Sequence, residues 1–323
     1  MKILITGGAG FLGQRLARQL LTLGQLRDSH GQLQDISELV LLDVVAAHDF
    51  SDQRVRVITG DIADDGLMRQ VLDHATSSIF HLAAIVSGQA EADFDLGMRI
   101  NLDAPRLLLD ICRELGHKPK VVFTSSVAVY GGQLPDVVQD TTALNPQSSY
   151  GAQKAIGELL LNDYSRKGYI DGRVLRLPTI SVRPGKPNKA ASSFASGIIR
   201  EPLNGLDAVC PVSTDLNLWL LSPRRAVDAL IAGHELSAET LGSQRTLNLP
   251  GLSVSVGQMI AALEQVSGAD AAARISFEID PAIERIVKSW PAAWNASRAV
   301  SMGLSADKDF ASIIRAYIED ELS

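Results

Sequence analysis

"KILITGGAGFLG", residues 2–13, decides the fold. Five residues rich in aliphatic and β-branched side chains read as a buried strand. They run directly into glycines at 7, 10 and 13, and a helical pattern follows to about Leu23. A strand that turns sharply into a helix leaves backbone N–H groups unpaired at the helix start, where an anion can bind. Gly7, Gly10 and Gly13 permit a tight turn, close approach to a pyrophosphate, and close packing of helix on strand. No Gly-Lys-Ser/Thr follows, so this is not a P-loop. The alternative reading is an ordinary strand–helix turn.

Outward from that turn the pattern repeats. Short apolar runs lie at 38–43, 55–60, 78–84, 120–126 and 172–178, with one more at 245–250. Helical patterns separate them at about 64–75, 95–116 and 149–167. Strand–helix alternation of this kind builds a parallel sheet with helices on both faces. The expected class is α/β, a Rossmann-type doubly wound parallel sheet over residues 1–180, with a returning strand at 245–250. Residues 181–323 are expected to form a smaller, mainly helical substrate cap, interleaved with the sheet. Residues 24–37 are polar and read as an enlarged surface loop, and the proline-rich, basic 183–193 as another loop.

Composition narrows the function. The chain has 323 residues, 46% hydrophobic and only 5% aromatic, so its core is aliphatic. The formal charge of −7 argues against a nucleic-acid partner. Cys112 and Cys210 cannot make a disulfide framework. The six histidines show no metal-ligand spacing, so no metal is expected. The first residues do not read as a signal peptide, because glycines break the apolar run and Arg15 follows. No stretch reaches the ~20 apolar residues of a membrane span. A soluble cytoplasmic protein is the expectation.

Asp43 closes the second strand, where an acid binds the adenosine ribose hydroxyls and repels a 2′-phosphate. NAD is therefore the expected cofactor. Asp28 and Asp35 compete by spacing, but neither ends an apolar run. Asp61, after the third strand, reads either as a contact to the adenine amino group or as a helix N-cap.

The fifth strand ends in Ser125 and Ser126, and "YGAQK" follows at 150–154. Tyr150 and Lys154 share one helix face at i and i+4. One such pair is weak evidence alone, but here it opens a helix beyond a strand ending in hydroxyls. A phenol titrates near ~10, too high for a base at neutral pH. An ammonium at ~6 Å, at an effective dielectric of ~20, favours the phenolate by about 3 kcal/mol. Tyr150 is then able to take the proton of a substrate hydroxyl. Ligands bind at the carboxyl ends of such strands, so the serine hydroxyls face the reacting oxygen. Strand-end capping is the bland reading of both serines. Tyr130 has no lysine four residues on and reads as structural.

Together, TGGAGFLG, Asp43, GDI (60–62), HLAA (81–84), Asn101, TSSVAVYG and YGAQK resemble the extended short-chain dehydrogenase/reductase family, of the sugar epimerase/dehydratase type. The resemblance runs to about Pro178 and implies Ser126, Tyr150 and Lys154 as the catalytic set, with Lys154 also on the nicotinamide ribose. It implies cofactor contacts from Phe11, Leu12, Ile62, Leu82, Ala83, Ala84, Pro178 and Ile180. Asn101, a structural residue of the active-site helix in this family, is counted with them. It makes Ser125 an additional ligand, and it implies a homodimer through 95–116 and 149–167. Val127 and Ala128 stand where dehydratases of the family carry acids, which speaks against water elimination. Segments 186–205 and 219–227 look like those of a branch that oxidises a small sugar acid. A small-molecule substrate, a hydroxylated sugar acid, is expected; a nucleotide-sugar epimerase is the rival. Either substrate class needs cations. Arg183, Lys186, Lys189, Arg224 and Arg225 are available, and Arg183 and Arg224, each beside a proline, are the preferred ligands.

Overall fold

The computed structural model describes residues 1–322. Seven parallel strands form the central sheet: β1 (Lys2–Thr6), β2 (Glu38–Asp43), β3 (Val55–Thr59), β4 (Thr76–His81), β5 (Lys120–Ser126), β6 (Asp171–Leu177) and β7 (Thr246–Asn248). Their order is β7-β6-β5-β4-β1-β2-β3, and every neighbouring pair is parallel. The order reverses between β1 and β4, which opens a crevice at their carboxyl ends.

Alternation along each strand divides the core. Ile3, Ile5, Leu39, Leu41, Phe80 and Val122 point to one face, against α1 (Phe11–Leu23) and α5 (Pro223–Glu235). Leu4, Val40, Leu42, Ile79, Val121 and Phe123 point to the other, against α2 (Ala104–Leu115) and α3 (Ser149–Arg166). With helices on both faces the inner strands must be apolar throughout, as their sequences are.

The second half adds α4 (Phe194–Leu203), α6 (Val256–Ser267), α7 (Pro281–Lys288) and α8 (Phe310–Tyr317) around a separate core that includes Ile198, Val212, Met259 and Ile314. Small sheets join them, one of them pairing Thr179–Ile180 with Asn217–Leu221. The returning strand is present as β7, beside β6.

The segment 24–37 differs from the expected loop. Gln25–Arg27 and Leu33–Asp35 pair antiparallel, and Asp28 accepts the N–H groups of His30 and Gln32 in the turn. Only Leu26 among the six paired residues is buried. So short and polar a hairpin leaves no apolar alternation to detect. Among the described residues, no helix is long and apolar enough to cross a membrane.

Candidate active site

A cleft of about 600 Å³ runs along the crevice. The glycine turn forms its floor at one end. Gly7 has φ of +72°, and a Cβ there would lie 2.8 Å from the Ala83 nitrogen. The turn after β1 therefore presses on the end of β4 without a side chain between them. Gly10 starts α1 with no side-chain cap, so its N–H groups are left for a ligand. Asp43 accepts the Ala9 N–H at 3.1 Å, which fixes the acid beside the turn. This cradle, positive N–H groups with an acid alongside, fits a dinucleotide. Gly7, Gly10, Phe11, Leu12, Gly13, Asp43, Asp61, Ile62, Leu82, Ala83, Ala84, Pro178 and Ile180 all line the cleft.

Asn101 does not. Its side chain accepts from the Ile85 N–H at 2.8 Å and donates to the Ile85 carbonyl and to Gln153. It clamps the chain after β4 to α3 and is fully engaged below the cleft, so it is a positioning residue rather than a cofactor contact. Asp61 is not the cap of the following helix, a role taken by Asp64. Its carboxylate accepts from the Ala63 N–H at 2.8 Å and from Arg99 at 2.6 Å.

At the other end stand the hydroxyls. Ser126 ends β5 and caps the turn Val127–Val129, accepting the Ala128 N–H at 3.2 Å. Ser148 caps α3, and Tyr150 follows in its first turn. A Cβ on Gly151 would lie 2.1 Å from the Ala128 carbonyl oxygen, so only glycine lets this turn of α3 meet the turn after β5. That contact sets Tyr150 in a hydrogen bond with Ser126. Lys154, one turn on, is 2% exposed and donates to the Thr124 carbonyl at 2.9 Å. Its ammonium lies 5.8 Å from the centre of the Tyr150 ring.

Burial pushes the Tyr150 phenol up to about 12, while the Ser126 hydrogen bond and the Arg183 charge pull it down. Arg183 is thus a second cation near the phenol, beside the expected Lys154. The lysine is held back by Thr124 and by the Phe123 ring, 4.8 Å from its nitrogen. Burial brings Lys154 down to about 8, and Glu158 opposes this.

Ser125 also departs from expectation. Its hydroxyl is turned to Glu158, at 2.5 Å, although the residue lines the cleft. Glu158, a turn beyond Lys154, also holds Arg176 through both carboxylate oxygens, at 2.9 and 2.6 Å. Arg176 reaches on to Tyr130, whose hydroxyl donates to Asn248 at 3.0 Å. Tyr130 is structural, as its sequence context indicated.

Of the five cations considered from sequence, only Arg183 lines the cleft. It donates to Ser192 at 3.1 Å, while Arg200 donates to its carbonyl at 2.9 Å. Burial lowers Arg183 to about 10, and Arg200 adds to this. Arg224 is exposed on α5 and bound to Glu319 and Asp320 of the C-terminal turn, so it cannot meet a ligand in the cleft. Ser87, Arg99, Asn188, Ser192 and Trp290 also line the cleft, and the sequence reading did not identify them. Asn188 and Ser192 lie in the basic loop it did recognise; Trp290 carried no signal.

A dinucleotide cradle joined to a serine, tyrosine and lysine in one crevice defines a class of protein, and the sequence agrees. The pattern of the NAD dependent epimerase/dehydratase family matches residues 3–219, and the chain belongs to that family. Its cofactor is NAD. Within the family the chain is 65% identical to the D-erythronate dehydrogenase of Cupriavidus necator, over 99% of this chain and 98% of that one. It is 48% identical to the D-erythronate dehydrogenase of Haemophilus influenzae, over the full length of both. The crystal structure of the nucleoside-diphosphate-sugar epimerase from Agrobacterium tumefaciens superposes with a TM-score of 0.92 at 45% identity, covering 100% of this chain and 94% of that one.

Proposed function

We propose that this protein is an NAD-dependent dehydrogenase that oxidises the C2 hydroxyl of D-erythronate to 2-oxo-D-erythronate. The observation that carries the reading is Arg183, a cation in the same cleft as Tyr150 and with no carboxylate within ion-pair distance among the described residues. A small hydroxy acid brings the carboxylate that completes it. The two relatives above support the same substrate.

NAD, when bound, supplies the acceptor for the hydride that leaves C2. Gly7, Gly10, Gly13 and Asp43 hold its adenosine and phosphates, and Lys154 its nicotinamide ribose. Arg183 and Ser192 fix the substrate carboxylate. Tyr150 takes the proton of the C2 hydroxyl at its phenol oxygen, and Ser126 steadies the reacting oxygen with a hydrogen bond. Lys154, protonated near neutral pH, and Arg183 make the buried phenol acidic enough to serve. Residues 1–180, with the returning strand at 245–250, form the NAD-binding part, and 181–323, interleaved with the sheet, the substrate cap. A homodimer through the surfaces around α2 and α3 belongs to the same reading, supported by exposed Phe94, Ile156 and Leu159.

The test is a panel of sugar acids with NAD, followed by NADH absorbance. Net NADH with D-erythronate is expected. A nucleotide-sugar epimerase, the second reading and the one the Agrobacterium protein favours, would copurify with NAD and form no net NADH. That result would replace the first reading.

A further inference from the structure

Trp290 is the only tryptophan, and the bulkiest side chain, in the cleft lining. It packs against two cores at once. One is the core of the cap, and the other is the small cluster of Val127, Val129, Tyr130 and Trp294 beyond the end of β5. It lines the same cleft as Ser126, Val127 and Tyr150, at the junction of sheet and cap.

The chain on both sides of it is fixed. Before it, α7 is capped by Asp280, which accepts the N–H groups of Ala282 and Ile283, and Val287 is fully buried. The Trp290 N–H closes the end of that helix on the Val287 carbonyl, at 3.2 Å. After it, Val138 donates to the Ala293 carbonyl and accepts from the Asn295 N–H, at 3.1 and 2.7 Å. The Trp294 indole donates to the Leu249 carbonyl at 2.5 Å. Trp290 is thus a fixed wall.

We propose that Trp290 is the specificity-determining residue for chain length. With its carboxylate on Arg183 and its hydroxyl at Tyr150, an acid has one end pinned. The carbons beyond C2 extend into the remaining space, which the indole limits. A four-carbon acid fits; five- and six-carbon acids meet the ring. The same wall obstructs the bulk of a nucleotide sugar. This inference rests on the proposed dehydrogenase function and deepens it.

The experiment compares straight-chain sugar acids of four, five and six carbons, matched in configuration at C2 and C3, by kcat/KM from NADH absorbance. Steric selection at a hydrophobic wall is worth about 10–200-fold per misfit group. Wild-type enzyme is expected to favour the four-carbon acid over the six-carbon acid by about 100-fold or more. Trp290→Ala is expected to raise the six-to-four ratio at least about tenfold, and Trp290→Phe to give an intermediate ratio. NADH fluorescence should show cofactor binding unchanged in both variants. Should Trp290→Ala lose its fold, the Phe and Leu variants carry the comparison. A ratio unmoved in folded, NADH-binding variants overturns the length assignment and leaves the dehydrogenase intact. If wild-type enzyme binds NADH and oxidises none of the acids, the dehydrogenase reading fails and the length assignment with it.

Discussion

The floor of the cleft and its roof treat buried charge differently. In the floor, Lys154 is faced by Glu158 a turn away, and Glu158 holds Arg176 and Ser125. Plus is set against minus, and nearly every group has a partner inside the protein. In the roof, Arg183 has serines for neighbours and a second arginine, Arg200, behind it. A charge withdrawn from water without a counter-charge is costly. The floor is a finished scaffold that holds the reacting groups still. The roof leaves a cation incomplete, and an anionic ligand completes it. Opposite treatment of charge on two sides of one cleft separates the chemistry from the recognition.

The largest effect that would test this division is on turnover. Tyr150→Phe should lower kcat by about 10³-fold, within the range for a removed general base, while NADH binding, read by fluorescence, holds. Turnover that survives would mean the floor is not the reaction centre.

Stability should then move in opposite directions. Glu158→Gln leaves Arg176 buried without its partner and should cost about 3–5 kcal/mol in urea unfolding. Arg183→Met removes a half-buried cation that has no counter-charge, so ligand-free protein should melt at the same temperature or higher. The same change should raise KM for the acid by about 30-fold or more, the cost of stranding a bound carboxylate. A ligand-free Arg183→Met that melts well below wild type would show that the roof charge is structural after all.

The smallest effect sharpens the contrast with a third arginine. Arg224 is exposed and already paired with Glu319 and Asp320. Arg224→Gln should leave KM for the acid unchanged and cost under about 1 kcal/mol, as exposed ion pairs do. A raised KM would return Arg224 to the cleft.

Both arginines looked alike in the sequence, since each neighbours a proline in a basic stretch of the cap. Nothing local distinguishes them. Arg183 faces the cleft because Arg200 and Ser196 hold its backbone, and Arg224 is occupied by a turn nearly a hundred residues away. Ser125 repeats the lesson. Its place at the end of β5 was legible, but its hydroxyl bonds Glu158 on α3. Asn101 lies in the helical turn just before α2, and its amide is spent on Ile85 and Gln153.

The sequence by itself determined the glycine turn after β1, the parallel sheet, the acid closing β2, and the tyrosine and lysine on one face of α3. These depend on constraints that act within a few residues: the positive φ at Gly7, alternation in strands, and the helical repeat. Only the tertiary structure decided that Arg183 reaches the cleft beside Tyr150, that Arg224 lies elsewhere, and that Trp290 lines the cleft. Those outcomes depend on contacts between segments far apart in the chain, whose packing no short stretch of residues encodes.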